Sequence, residues 1–235
     1  MNTLKAKYLN QLSENFRLLS EIILSQFGMI RDLLNSKGDY NTDLFADIER
    51  NEVLIDGLDT KIKEVVINTI ILFSPRASDL RKVIAYYDMT IYLERIGDII
   101  LNMSRTLEKI NLGMKDFEIF VEMLAKMLKH AEKMTGNAVL AFDCDNSLLA
   151  YDTIAMDNKV DELYRKIAKK LPETFKDRSL SREELLNITG ITTISFNIER
   201  VADNAANVAE AAVYLSEGKD IRHKKLSADY TEKNQ

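Results

Sequence analysis

Carboxylates four residues apart on a helix stand one above the other on the same face, where each such pair costs about 0.2–0.5 kcal/mol. The sequence repeats this arrangement at Glu52 and Asp56, Glu94 and Asp98, Asp157 and Asp161, and Glu199 and Asp203. Crowded carboxylates are relieved by protonation or by a bound cation. An all-oxygen set favours hard ions such as magnesium, manganese, calcium or iron. The side-chain amides of Asn102 and Asn207, one helical turn beyond Asp98 and Asp203, each add a neutral oxygen. These eight carboxylates are the candidate metal ligands, with the two asparagines as additional donors.

A single pair of this kind is ordinarily a solvated helix face, and Glu118 with Glu122 or Glu173 with Asp177 have the same spacing. What distinguishes the four is their placement. Shifting the chain by 105 residues carries Glu94, Arg95, Asp98 and Asn102 onto Glu199, Arg200, Asp203 and Asn207, and Glu52 and Asp56 onto Asp157 and Asp161. The same shift carries Leu58 to Leu163, Ile62 to Ile167 and Gly113 to Gly218. A constant offset without insertions points to a duplicated unit.

Helical periodicity runs through six segments, near 5–36, 42–72, 78–112, 117–141, 147–172 and 182–217. Gly38-Asp39, Ser74-Pro75, Gly113 and Pro172 mark breaks, and Ser181 with Glu184 forms a capping box that starts the last helix. The expected fold is all-α: a three-helix repeat over 1–113, a second over 114–218, and a polar tail over 219–235. If the second and third helices of each unit form a hairpin, its two acidic motifs lie at equal height, about 30 Å from the turn. The stripe Leu54, Leu58, Ile62 and Val65 is expected to face the core, leaving the acids in an outer groove. Ala205, Ala209 and Ala212 belong to the packed side of the last helix, and Gly97 and Ala202 are small enough to admit a neighbouring helix. Arg95 and Arg200 are expected to pair with a neighbouring helix.

Composition agrees. Hydrophobic residues make up 46% of the chain, with only 8 Gly and 2 Pro, which leaves little turn chemistry for an all-β protein. The formal charge of −5 carries no basic stripe interleaved with aromatics, so nucleic acid is not an expected partner. Cys144 is the one cysteine, and the longest apolar run, "VVINTIILF", is too short to span a bilayer. The expected location is the cytoplasm, with peripheral docking at the inner face of the membrane allowed.

The segments "YLERIGDIILN", "NIERVADNAANVAEAAVYLSEGK", "ERNEVLIDGL" and "AMDNKVDEL", with "SDLR" at 78 to 81, resemble the paired motifs of PhoU-like phosphate-uptake regulators. The resemblance implies two three-helix bundles related by a pseudo-twofold. It implies a regulator, not an enzyme, that contacts a membrane phosphate transporter and a sensor histidine kinase, with a homodimer allowed. It also implies iron or zinc clusters on the acidic motifs, and all eight matching positions here retain a carboxylate. Two other readings use the same acids. A metal-free scaffold would hold basic partner segments in its grooves. A carboxylate di-iron enzyme would need Glu-x-x-His on two helices, but Gly97 and Ala202 occupy the histidine positions.

Overall fold

The computed structural model describes residues 2–36, 42–177 and 179–221. They form α1 (Asn2–Ser36), α2 (Thr42–Phe73), α3 (Ser78–Leu107), α4 (Glu118–Asp143), α5 (Ser147–Phe175) and α6 (Arg182–Glu217), with one 3-10 turn at Lys115–Phe117 before α4. The Gly38-Asp39 break and the tail beyond Ile221, including His223, lie outside the described residues.

α1, α2 and α3 pack on one another, as do α4, α5 and α6, and the two bundles meet along α3 against α6 and α1 against α4. Those are the helices that the 105-residue shift exchanges. The chain just beyond α3 docks on the start of α6, where Ile110 fills the space beside Gly190, while Arg81 near the start of α3 covers Gly218 at the end of α6. The two helices therefore run antiparallel. A continuous core crosses the interface, and Phe16 of α1, Tyr86 of α3 and Phe142 of α4 meet there with ring centroids 4.8–5.4 Å apart. Both units thus share one interior instead of closing two separate ones.

Helix ends follow their capping chemistry. Ser181 Oγ accepts from the Glu184 N–H at 3.2 Å while Glu184 Oε2 accepts from the Ser181 N–H at 2.8 Å, the reciprocal cap expected from "SREE". α6 ends on Gly218 at φ 68°, a left-handed residue that glycine adopts without strain.

Several expectations need correction. α3 stops at Leu107 rather than near 112, because Ile110 and Leu112 turn inward and Asn187 of α6 clamps the linker. Its Oδ1 accepts from the Asn111 N–H at 2.9 Å and its Nδ2 donates to the Asn111 carbonyl at 2.6 Å. Gly113 is therefore a linker residue, not a helix cap like Gly218. Pro172 does not break α5, which continues to Phe175. The proline forfeits one backbone bond, but Phe175 is buried and stacks on Phe117 at 5.1 Å, which anchors the final turn.

Candidate metal centre

The buried stripe of α2 is Ile48, Glu52, Ile55, Leu58 and Ile62. Ile55 is fully buried, whereas Leu54, expected in the core, is 54% exposed. At about 100° per residue, Glu52 lies roughly 40° around the helix from Ile48, at the edge of the core-facing side. It is only 8% exposed, so this acid does not belong to a purely external groove as expected. Asp56 and Asp98 are exposed and Glu94 is half-buried. In the second unit Asp203 is exposed, while Asp157, Asp161 and Glu199 are half-buried.

The structure brings the eight carboxylates together as two quartets. Glu52 interacts with Asp98, Asp56 and Glu94, and Asp157 with Asp203, Asp161 and Glu199. Burial, the hydrogen bond to Asp98 and the surrounding negative charge push the Glu52 carboxyl up to about 8. Burial and its three acidic neighbours push Asp157 up to about 6. Burial followed by Asp98 raises Glu94, although Lys63 opposes the shift. Burial also leads for Glu199 and Asp203, which are raised further by Asp161 and opposed by Arg200. At neutral pH the first groove thus keeps a proton on Glu52, while Asp157 is largely ionised.

The innermost carboxylate of each groove has a buried oxygen without a hydrogen-bond partner, Glu52 Oε2 in the first and Asp157 Oδ1 in the second; Asp59 Oδ1, beside Glu94, also has none but lies in ion-pair range of Lys63. Such atoms cost free energy unless something satisfies them. The donor set fits a hard cation, since all eight groups supply oxygen. The ligands are not preassembled: among the described residues, no group of three or more His, Cys, Asp or Glu is gathered in a way that could hold one ion. Among the described residues, neither the Asn102 nor the Asn207 side chain forms a hydrogen bond.

The grooves are not identical. Lys63 Nζ holds Asp59 Oδ2 at 2.8 Å beside Glu94, whereas the 105-residue shift puts Ala168 and Tyr164 at those places. In the second groove Arg165 pairs with Asp161 at 2.8 Å. The Lys63–Asp59 pair was legible as an i,i+4 spacing, but local spacing did not connect it with Glu94. Among the described residues Arg95 and Arg200 form no ion pair with a neighbouring helix; each guanidinium lies over a ring of its own helix, Tyr92 and Phe196, 5.8 Å from the centroid. The aromatic one turn back offers a partner that needs no interhelical geometry.

Gly97 has the close-approach role expected of it. A Cβ there would stand 2.9 Å from Ile55 Cδ1 and 3.3 Å from Glu52 Oε2. In the second unit Ala202 replaces Gly97, Asp157 replaces Glu52 and Val160 replaces Ile55. One side gains a methyl and the other loses two methylenes, so the volume is exchanged across the helix pair. Gly97→Ala is expected to destabilise by about 1 kcal/mol, overpacking outweighing better helix propensity. In the Gly97→Ala background, Ile55→Val should cost about 1 kcal/mol less than it does alone. A urea-denaturation double-mutant cycle measures the coupling, and an additive result would refute the exchange.

A family model described as the PhoU domain matches residues 16–107 and again residues 124–212. A phosphate-specific transport system accessory protein PhoU homolog of Aquifex aeolicus (strain VF5) is 29% identical over 225 residues, covering 94% of this chain and 96% of that protein. The accessory protein PhoU of Escherichia coli (strain K12) is 27% identical over 212 residues, covering 86% and 83% respectively. The crystal structure of the phosphate transport system regulatory protein PhoU from Streptococcus pneumoniae superimposes with a TM-score of 0.80 at 25% identity, over 92% of this chain and 98% of that one. These relatives are named accessory and regulatory proteins, not enzymes, in agreement with the non-enzymatic reading.

Proposed function

Because this chain belongs to the PhoU family, whose domain it carries twice, we propose that it regulates phosphate transport and phosphate-starvation signalling, binding hard cations in its two acidic grooves. Its partners in this reading are a membrane phosphate transporter and a sensor histidine kinase. The observation that carries the metal assignment is the unpartnered buried carboxylate oxygen at equivalent positions of both grooves, Glu52 Oε2 and Asp157 Oδ1. Iron, manganese, magnesium or calcium suits the all-oxygen set; zinc, which accepts carboxylates but commonly takes nitrogen or sulfur, suits it less well. A bound cation would supply positive charge that neutralises the quartet. The helices supply the ligands: Glu52, Asp56, Glu94 and Asp98 in one groove, and Asp157, Asp161, Glu199 and Asp203 in the other, with Asn102 and Asn207 as neutral donors.

Elemental analysis of protein purified without added metal tests the assignment. The wild type is expected to carry metal in both grooves. Glu94→Ala with Asp98→Ala should lose the first groove's share while keeping its helical circular dichroism. A full metal complement in that variant would refute the ligand set. In cells lacking the native chain, the same variant should fail to restore control of phosphate uptake.

The absence of a preassembled three-ligand group among the described residues favours a second reading, in which the grooves hold basic segments of a partner without metal. Partner binding that is unchanged by chelation, yet weakened by Asp203→Asn, would select it.

A further inference from the structure

We propose that the outer face of the α4–α5 hairpin is a docking surface for an anionic lipid bilayer. Lys126, Lys129 and Lys133 follow one another at i, i+3 and i+7 along α4, which places three exposed ammonium groups on one face over about 10 Å. Lys159 of α5 joins Lys133, Asn137 and Met156 in lining one shallow hollow between the helices. Among the described residues none of these four lysines forms an ion pair, whereas Lys5, Arg31, Lys63 and Arg165 are all paired. Glu132, the acid nearest in sequence, is already engaged by Arg31 of α1 at 2.8 Å. Asp152 also lines the hollow, and two further exposed acids border the face, Glu122 one turn before Lys126 and Glu162 one turn after Lys159.

The local potential is positive enough to be felt by a neighbour. His130, half-buried between the lysines, is held below its usual range by burial and then by Lys159, Lys133 and Lys129. At the end of the same hairpin, about 10 Å along α4 from Lys133, Leu140 is exposed, as is Leu148 across the turn, adding apolar side chains further along the face. That combination suits a membrane interface, where headgroups meet ammonium groups and short apolar side chains enter the boundary.

The duplication provides an internal control. Displaced by 105 residues, Lys126, Lys129, Lys133 and Lys159 correspond to Glu21, Leu24, Gly28 and Leu54. The acidic quartets occur in both units, but the cationic face occurs in the second alone. Since the chain as a whole is at −5, an anionic surface repels most of it and attracts this side. A small free anion is less well matched, because the four lysines are exposed and spread over two helices, whereas a bilayer presents many anions in a plane.

Sedimentation with phosphatidylcholine vesicles, with and without phosphatidylglycerol, tests the proposal. A chelator is kept present so that the outcome is independent of metal in the grooves. The wild type is expected to bind the phosphatidylglycerol vesicles in a salt-sensitive way. Lys129→Ala with Lys133→Ala and Lys159→Ala should bind roughly 100-fold more weakly, each lysine near such a surface being worth about fivefold. Lys61→Ala with Lys109→Ala, on other faces, should change binding by less than about twofold on the same scale. Failure of the wild type to bind, equal binding to neutral vesicles, or unchanged binding of the triple variant would each overturn the assignment. Tighter binding to poly-glutamate than to vesicles would replace the bilayer by an acidic protein.

Discussion

Glu52→Gln is expected to stabilise the metal-free protein by about 3 kcal/mol above pH 8 and to leave it nearly unchanged below pH 4.5. In the folded chain Glu52 keeps its proton up to about 8, while its ordinary value is 4.5. Between those values folding takes up a proton, so stability falls as pH rises through the window and levels off above it. The whole shift would amount to nearly 5 kcal/mol at about 1.36 kcal/mol per unit. Water and salt reaching the groove beside the exposed Asp56 and Asp98 screen it to the smaller figure. Glutamine keeps a donor facing Asp98 and never acquires a charge. Urea midpoints measured in chelator across the window should fall for the wild type and much less for the variant. Parallel curves would refute the buried, protonated Glu52. Asp157, raised to about 6, adds a smaller fall at lower pH in both proteins.

Phe16→Ala is expected to cost about 4 kcal/mol, at the centre of the range for emptying a buried aromatic site. The ring is 1% exposed and touches Tyr86 at 5.1 Å and Phe142 at 5.4 Å, so one cavity loosens α1, α3 and α4 together. Those helices span both repeats. Because the core is continuous, urea unfolding should remain one transition with a lower midpoint. Two separate transitions would show that the repeats are independently stable, in conflict with the shared interior. Phe16→Leu, which retains apolar volume, should lose less than half as much.

Much of the fold was legible from local pattern. The six helices, the capping box at Ser181 and the left-handed Gly218 depend on residues within a turn or two of one another, and all are present. The misread ends have non-local causes. α3 stops early because Asn187, far along the chain, clamps Asn111, and α5 runs through Pro172 because Phe117 offers its ring to Phe175. Ala205, Ala209 and Ala212 are buried as expected, because small residues at helical spacing pack in only one way against close neighbours. On α2 the apolar residues Val53 and Leu54 stand beside Glu52, so hydropathy pointed to Leu54 as core while the burial fell on Ile55 and Glu52.

By itself the sequence determined that the chain is a duplicated helical unit and that each copy carries four carboxylates at matching heights. Those properties follow from periodicity, breaks and a constant offset, none of which requires knowing what lies across a groove. Only the tertiary structure decided how those carboxylates differ. At neutral pH Glu52 holds its proton and Asp157 largely does not, because a hydrogen bond to Asp98 of the facing helix adds to burial and negative charge at Glu52, and such a bond depends on how closely two helices approach. In the first unit that approach is set by Gly97 against Glu52 and Ile55; in the second the repeat puts Ala202, Asp157 and Val160 at the corresponding positions.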